Sequence, residues 1–208
     1  MTRTVSQLLW ERDSDEQWRN HQKLFKALLR ETSAKDFCGE LFEPAFHALC
    51  VRGATLTIYP MDYRDGRVKF AFKSSKCESG SNSLELELGP RDRFFFGDED
   101  NPITSLCSNY YYQPIAKNYP SFVYDPNSRQ ISAFQVTVAG QHGLASKGIR
   151  AVRELGRQLQ IDDLKIRIIV VVFRNFEADF EIKKELYDSW GLQVYVVQVT
   201  EDQLYPHS

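Results

Sequence analysis

The sequence lacks the features that would tie the chain to a membrane or, through its overall charge, to a polyanion. No apolar run approaches the roughly 20 residues that a membrane-spanning helix requires, which predicts no membrane partner. Lys and Arg number 26 against 28 Asp and Glu, so the net charge is only -2. The surface as a whole therefore does not attract nucleic acid, and any nucleic-acid site has to be a local basic patch.

Signals for secretion, disulfide bonding and zinc binding are missing as well. The opening MTRTVSQLLWERDSDEQW has no signal-peptide core, which predicts an intracellular protein, either nuclear or cytoplasmic. The cysteines stand far apart and form no paired motif: Cys38, Cys50, Cys77 and Cys107. We expect them to be reduced core residues, and the scattered positions of the four histidines argue against a zinc site.

What the sequence does contain is the composition of a packed domain. It has 208 residues, of which 42% are hydrophobic and 13% aromatic. This is enough for one domain with a well-filled core. We predict an N-terminal helical extension over residues 1–32 and a single α/β domain over residues 33–208.

The first half of the chain predicts two helices and then strands. Capping signals at Ser14 (SDEQ) and Ser33 (SAKD) mark the two helix starts. The second helix is expected to reach about Cys50, with a kink or restart at Pro44, and to stop at Gly53. The segments ATLTIYP, RVKFAFK, SLELELG and RFFFG then predict short strands.

The second half of the chain alternates strands and helices. Strands are expected near residues 121–125 and over QISAFQVTV, followed by a helix over about residues 146–160. The apolar run from Ile166 to Phe173 predicts a central strand buried on both faces. ADFEIKKELYDSW predicts an amphipathic helix and LQVYVVQV a last strand. Right-handed crossovers between these elements predict a mixed sheet flanked by helices.

Three stretches of the sequence resemble the PD-(D/E)xK restriction-endonuclease-like superfamily, in the branch of Crinkler and retrotransposon-hot-spot proteins. They are GELFEPAFHAL (residues 39–49), YYQPIAKNYPSF (residues 111–122) and FQVTVAGQHGL (residues 134–144). The closing WGLQVYVVQVTEDQL is similar to the last strand of that family. The resemblance covers about residues 33–208 and implies a restriction-endonuclease-like mixed sheet flanked by helices.

The resemblance also implies a metal-dependent nuclease site, from which this sequence departs. In such sites carboxylates hold Mg²⁺, which activates water, and a lysine lies two residues after an acid on one strand face. Glu43 matches the family's helical glutamate. The family's strand aspartate falls at Val123, and its acid-x-lysine pair falls at Gln135 and Thr137. Asp125 either replaces the missing acid or only opens the turn that follows it.

These matches define the predicted catalytic and metal-binding residues. The catalytic set is Glu43, Asp125, Gln135 and Thr137, and Glu43 and Asp125 are the expected metal ligands. We expect Glu43, Gln135 and Thr137 to lie in one small cluster, with Val123 or Asp125 at the neighbouring strand position. Mg²⁺ is the expected cofactor if catalysis survives, and otherwise none.

A basic stripe follows the third stretch. Its four cations occupy an arc of roughly 120° on a predicted helix: Lys147, Arg150, Arg153 and Arg157. Apolar residues at 149, 152, 155 and 159 occupy a different arc, which can face the sheet. The stripe is either a solvated helix face or a track for phosphates, and His142 either contacts phosphate or caps its loop.

Three functions remain open on the sequence. The preferred one is a degenerate nuclease-like domain that retains nucleic-acid or partner binding, with weak or absent phosphodiesterase activity. The alternatives are an active Mg²⁺-dependent DNA nuclease and an effector-type protein-interaction module. A nucleic-acid partner and a protein partner are both compatible with the sequence. The oligomeric state is also open on the sequence.

Overall fold

The protein is described from a computed structural model. The described residues are 15–29, 35–64, 67–70, 83–97, 102–115, 119–137, 141–143, 146–173, 178–181 and 191–205. Among them the chain forms four helices and twelve strands, which confirms the mixed α/β class. The helices are α1 (Asp15–Leu29), α2 (Lys35–Arg52), α3 (Ser146–Gln158) and the short α4 (Glu201–Leu204). No helix in these ranges is long and apolar enough to cross a membrane.

Eight strands form one mixed sheet in the order β4-β1-β12-β10-β8-β7-β6-β5. Their bounds are β1 Ala54–Pro60, β4 Leu84–Leu88, β5 Asp92–Phe96, β6 Tyr110–Pro114, β7 Ser121–Asp125, β8 Gln130–Thr137, β10 Lys165–Phe173 and β12 Gln193–Val199. Parallel pairs join β8 to β10, β10 to β12 and β5 to β6, and the remaining pairs are antiparallel. Four further strands form a smaller sheet in the order β2-β3-β11-β9: β2 Asp62–Arg64, β3 Arg67–Phe70, β9 Gln141–Gly143 and β11 Ala178–Glu181.

The predicted central strand is confirmed. β10 lies between β8 and β12, with parallel partners on both sides, and its residues from Ile168 to Phe173 are buried. Apolar side chains on both faces leave no surface that water could solvate, so the strand has to lie inside the sheet.

The core has two halves, one on each face of the eight-stranded sheet, because side chains alternate between the faces along the central strands. The half under helix α2, the α2 core, includes Phe42, Phe46, Leu49, Tyr111, Val123, Phe134, Ile169, Val171 and Val197. The half under helix α3, the α3 core, includes Tyr112, Phe122, Ile131, Ile149, Val152, Ile168, Val170, Val172 and Val196. Successive residues of a strand point to opposite faces, so the sheet itself separates the two halves.

Helix α1 packs into the same interior as the main domain. Phe25 is fully buried in the α2 core, where its ring meets the edge of Phe173 at 5.0 Å between centroids. On the helix surface, the Gln22 amide donates to Glu201 Oε1 at 2.7 Å, and Lys26 Nζ lies 2.5 Å from the same oxygen. Helix α1 is therefore bound to helix α4 by polar contacts as well as by aromatic packing.

Two local expectations differ from the structure. Residues 178–181 form strand β11 instead of the start of a helix, because β3 and β9 pair with them on either side. The rest of that predicted helix, residues 182–190, lies outside the described residues. Helix α2 continues through Pro44 to Arg52, so the restart that was one of the two alternatives at this proline does not occur.

Gly53 ends helix α2 in a backbone conformation that other residues rarely adopt. Its φ is +92°, and its amide donates to the Leu49 carbonyl at 3.1 Å. A Cβ here would lie 2.8 Å from the Leu88 carbonyl oxygen and 2.9 Å from the Pro90 nitrogen, and both contacts are with backbone. The predicted stop at this residue is confirmed.

We expect Gly53→Ala to lower the free energy of unfolding by about 1–3 kcal/mol, because the side chain adds a backbone clash to an unfavourable φ. Urea denaturation measures the change. Gly89→Ala is the matched control, since a Cβ at Gly89 meets nothing within 4 Å. Equal effects of the two substitutions would contradict the prediction.

Stability should also depend on pH through His21. Its Nδ1 lies 2.5 Å from the Tyr205 hydroxyl, and burial lowers the pKa of His21 from 6.5 to about 4. The unfolded chain binds a proton between these values and the folded chain does not, so stability is full above about 6.5 and falls as the pH drops towards 4.

Thermal unfolding of the wild type and of His21→Gln over this range isolates the histidine. The difference in stability between the two proteins should change with pH only below about 6.5. A difference that is constant across the range would show that His21 does not contribute.

Candidate functional site

Asp125 ends strand β7 and holds the turn that follows. Its Oδ1 accepts from the Asn127 amide at 2.9 Å, and its Oδ2 accepts from the Ser128 hydroxyl at 2.6 Å. The Ser128 hydrogen bond is the main cause that holds the pKa of Asp125 below its ordinary value. Both carboxylate oxygens are thus engaged within the turn, which is the turn-opening role weighed above.

Glu43 lies at the surface of helix α2, one turn before a buried histidine. Its side chain is 58% exposed, and its Oε1 is 3.5 Å from His47 Nε2. The i,i+4 spacing places both side chains on one face of the helix. Glu43 is therefore the surface end of a polar path that leads into the protein.

That path continues through the α2 core as a row of buried polar groups. His47 Nδ1 lies 2.6 Å from the Tyr111 hydroxyl, which donates to Ser121 Oγ at 2.7 Å. His47, Tyr111 and Ser121 are all buried, and we call the set with Glu43 the α2 polar chain. Because Tyr111 gives its proton to Ser121, the His47 ring is the donor at Nδ1.

The neighbourhood of the Tyr111 hydroxyl favours neutral groups. The Cys50 thiol also interacts with this hydroxyl, and burial raises the pKa of both side chains. Neither group ionises readily in such an environment. The hydrogen bond from Tyr111 to Ser121 therefore joins two neutral groups.

Gln135 and Thr137 lie on the opposite face of the sheet from helix α2. Phe134 directly precedes Gln135 in strand β8. It packs on Phe46 of helix α2, with 5.4 Å between the ring centroids. In the register of β8 with β10, Gln135 pairs with Val170 and Thr137 with Val172, both in the α3 core. The expected single cluster of Glu43, Gln135 and Thr137 is thus not formed, because the two-residue strand period turns these two side chains away from the glutamate.

Val123 does lie on the face that helix α2 covers. It is buried in the α2 core and pairs with Tyr111 on one side and with Ser132 on the other. An apolar side chain in this position packs well and offers no ligand to a metal. Val123 and Asp125 share this face of β7, but only the aspartate carries an acid, and the turn uses it.

The predicted catalytic and metal-binding residues lie at separate places in the fold. Glu43 lies beside His47, Asp125 is engaged in its turn, and Gln135 and Thr137 point to the other face. Across the described ranges, no group of three or more His, Cys, Asp or Glu residues could hold a metal ion. These residues do not fit the Mg²⁺ site that the resemblance implies.

His142 lies in strand β9 of the smaller sheet, where it pairs with Phe180 of β11. The expectation placed it in a loop, but its backbone is part of a parallel strand pair. Its side chain lies outside the described residues, so its contact with phosphate stays a prediction.

Helix α3 carries the predicted basic stripe on its solvent side. All four stripe residues are exposed, whereas Ile149 and Val152 on the other side are buried in the α3 core. Arg157 Nη1 lies 3.3 Å from Glu154 Oε2, an exposed ion pair that is weak in water. The stripe spans about 15 Å along the helix axis, since ten residues separate its ends.

A cleft of about 500 Å³ opens where the stripe ends. Arg153 and Arg157 belong to both features, and Lys165, the first residue of β10, adds a third cation to the cleft. Leu164 and Leu192 contribute apolar walls. The cleft thus combines positive charge with apolar surface.

Sequence reasoning missed the interior members of the α2 polar chain and the cleft. His47 had a signal, since it stands four residues after Glu43 within the quoted helix motif. Tyr111 and Ser121 had no such signal, because they meet His47 only where helix α2 packs on strands β6 and β7. Lys165 lies in an apolar strand pattern that gives no reason to single it out.

The comparisons with known proteins found no match to any family model, curated protein or solved structure.

Removing the Tyr111 hydroxyl should expose the coupling within the α2 polar chain. Tyr111→Phe leaves His47 and Ser121 without their shared partner, at an expected cost of about 1–3 kcal/mol of unfolding free energy. In a double-mutant cycle, Tyr111→Phe and Ser121→Ala should couple by about 0.5–3 kcal/mol. Chemical denaturation of the four proteins provides the measurement.

Tyr112→Phe serves as the control in a second cycle with Ser121→Ala. Tyr112 lies next along the strand, but it belongs to the α3 core, and its hydroxyl bonds to the Cys107 amide at 2.8 Å. These two changes should add within about 0.5 kcal/mol. Equal coupling energies in both cycles would show that the hydrogen bonds of the α2 polar chain do not cause the coupling.

Proposed function

We propose that this protein is a degenerate PD-(D/E)xK-type domain with a restriction-endonuclease-like ancestry. It retains nucleic-acid binding through helix α3 and has weak or absent phosphodiesterase activity. The observation that carries the binding is the stripe of four exposed cations on a helix whose opposite side buries Ile149 and Val152 in the α3 core.

The positions of the inherited residues support the loss of catalysis. A nuclease site of this type needs two or three carboxylates around one Mg²⁺ ion, because the ion has to activate water and neutralise the phosphate. Val123 supplies no charge, and Asp125 is engaged by Asn127 and Ser128. A metal held mainly by Glu43 loses most of the electrostatic attraction that such a site requires.

Binding through the stripe needs no metal, so it can outlast catalysis. Lysine and arginine neutralise phosphates and release the counterions condensed on the nucleic acid. The stripe concentrates this charge on one helix of a protein whose net charge is -2. Attraction is thereby directed to a single face, which also carries the cleft.

The test is a DNA and RNA binding titration at two salt concentrations, with and without Mg²⁺. For the wild type, log K should fall linearly with log salt, by about 0.9 for each duplex phosphate neutralised and about 0.7 for each single-strand phosphate. Replacing all four stripe residues, Lys147, Arg150, Arg153 and Arg157, by alanine should weaken binding and flatten this slope. Mg²⁺ should make no difference to either effect.

A matched pair of double variants separates the stripe from general charge. Lys147/Arg150→Ala removes two exposed cations from helix α3, and Arg19/Lys23→Ala removes two from helix α1 on the other side of the sheet. Only the first should weaken binding appreciably and reduce the salt slope, by about 0.9 for each lost duplex contact. Equal losses would mean that net charge, not the stripe, drives association.

Two outcomes would favour the other functions. Efficient Mg²⁺-dependent cleavage that Glu43→Ala abolishes would restore the active nuclease. An absence of binding to any nucleic acid, or binding that the fourfold change leaves untouched, would favour the protein-interaction module.

A further inference from the structure

The cleft beside helix α3 has the charge and size of a site for a phosphorylated small group. Three cations line it, Arg153, Arg157 and Lys165, against one lining acid, Asp163. Its volume of about 500 Å³ falls within the range of about 300–1,000 Å³ that is usual for small-molecule sites. A bare phosphate would fill only part of it, so the occupant carries further atoms beyond the anion.

The side chains supply the attraction for an anion here, because the backbone does not. The cleft lies at the C-terminal end of helix α3, where the carbonyl groups carry partial negative charge. It also lies at the amino ends of β10 and β12, opposite to the edge where open α/β sheets usually bind ligands. Even when Glu154, the ion-pair partner of Arg157, is counted with Asp163, the three cations exceed the acids by one charge.

The remaining lining suits a nucleobase better than a lipid or an inorganic anion. Ile161, Leu164, Ile166 and Leu192 provide apolar surface against which a flat ring can pack. Gln193 adds an amide, which offers both a donor and an acceptor to the polar edge of a base. A nucleotide combines these needs in one ligand, with the phosphate at the cations and the base at the walls.

We propose that this cleft binds a nucleotide bearing a phosphate monoester, presented as the 5′-phosphorylated end of a strand that follows the stripe. The proposal rests on the proposed function, since Arg153 and Arg157 belong to both stripe and cleft. A monoester carries more negative charge than an internal phosphodiester. The added cation Lys165 is therefore matched to a strand end.

Fluorescence anisotropy with short single-stranded oligonucleotides of one sequence tests this. The 5′-phosphorylated strand should bind about tenfold more tightly than the 5′-hydroxyl strand, the gain expected from one charge-assisted hydrogen bond. Lys165→Gln should abolish this preference, so that the 5′-phosphorylated and the 5′-hydroxyl strands bind with equal affinity. Its side chain is exposed, and its backbone amide keeps its bond to the Arg129 carbonyl, so the fold is preserved.

Two further variants locate the effect. Lys147/Arg150→Ala should weaken the binding of both oligonucleotides by the same factor. It should keep the preference for the 5′-phosphorylated one, because neither residue lines the cleft. Asp163→Asn should increase the preference, since it removes the acid that opposes phosphate. Asp163 has φ +55°, a conformation that asparagine also adopts readily. Calorimetry with a nucleoside 5′-monophosphate distinguishes a free nucleotide from a strand end.

The outcomes separate the two proposals. Normal binding without any 5′-phosphate preference overturns the cleft and leaves the proposed function standing, as does a preference that Lys165→Gln does not change. Monophosphate binding that depends on Lys165, without binding of any strand, overturns both nucleic-acid binding and the strand end as the occupant, and assigns the cleft to a free nucleotide. Binding of neither monophosphate nor strands overturns both.

Discussion

Strands β8 and β10, each buried on both faces, hold this molecule together and decide which side chains can meet. Their parallel pairing places Phe134 beside Ile169 in the α2 core and Gln135 beside Val170 in the α3 core. The sheet thereby separates the two halves of the interior. Groups on one side interact with helices α1 and α2, and groups on the other with helix α3.

This division gives the two faces different chemistry. Under helix α2, a surface glutamate leads through His47 and Tyr111 to Ser121, and burial raises the pKa of the Tyr111 hydroxyl. Such a row satisfies polar groups that would otherwise be costly to bury. On the solvent side of helix α3, by contrast, the four stripe cations are exposed. Polar residues under helix α2 therefore stabilise the fold, and the stripe is the surface to which the proposed function assigns binding.

In the proposed function, this separation of the two faces is what allows binding to persist without catalysis. A metal-dependent site fails when one or two carboxylates are lost, because the charge of the ion is no longer balanced. Phosphate attraction to exposed arginine and lysine depends on none of these groups. The helix that carries the stripe is fixed to the sheet by Ile149 and Val152, so its cations stay in place whatever happens under helix α2.

The sequence by itself determined the local elements and the surface of helix α3. The branched apolar run of β10, the stop at Gly53 and the stripe all follow from neighbouring residues, whose periodicity and backbone preferences act within one element. Only the tertiary structure decided which face of the sheet each polar residue occupies. A strand pattern shows that Gln135 and Thr137 share a face, but not that helix α2 covers the other one. The meeting of His47 with Tyr111 and Ser121 likewise depends on how helix α2 packs on strands β6 and β7, which are distant from it along the chain, and no local pattern encodes that packing.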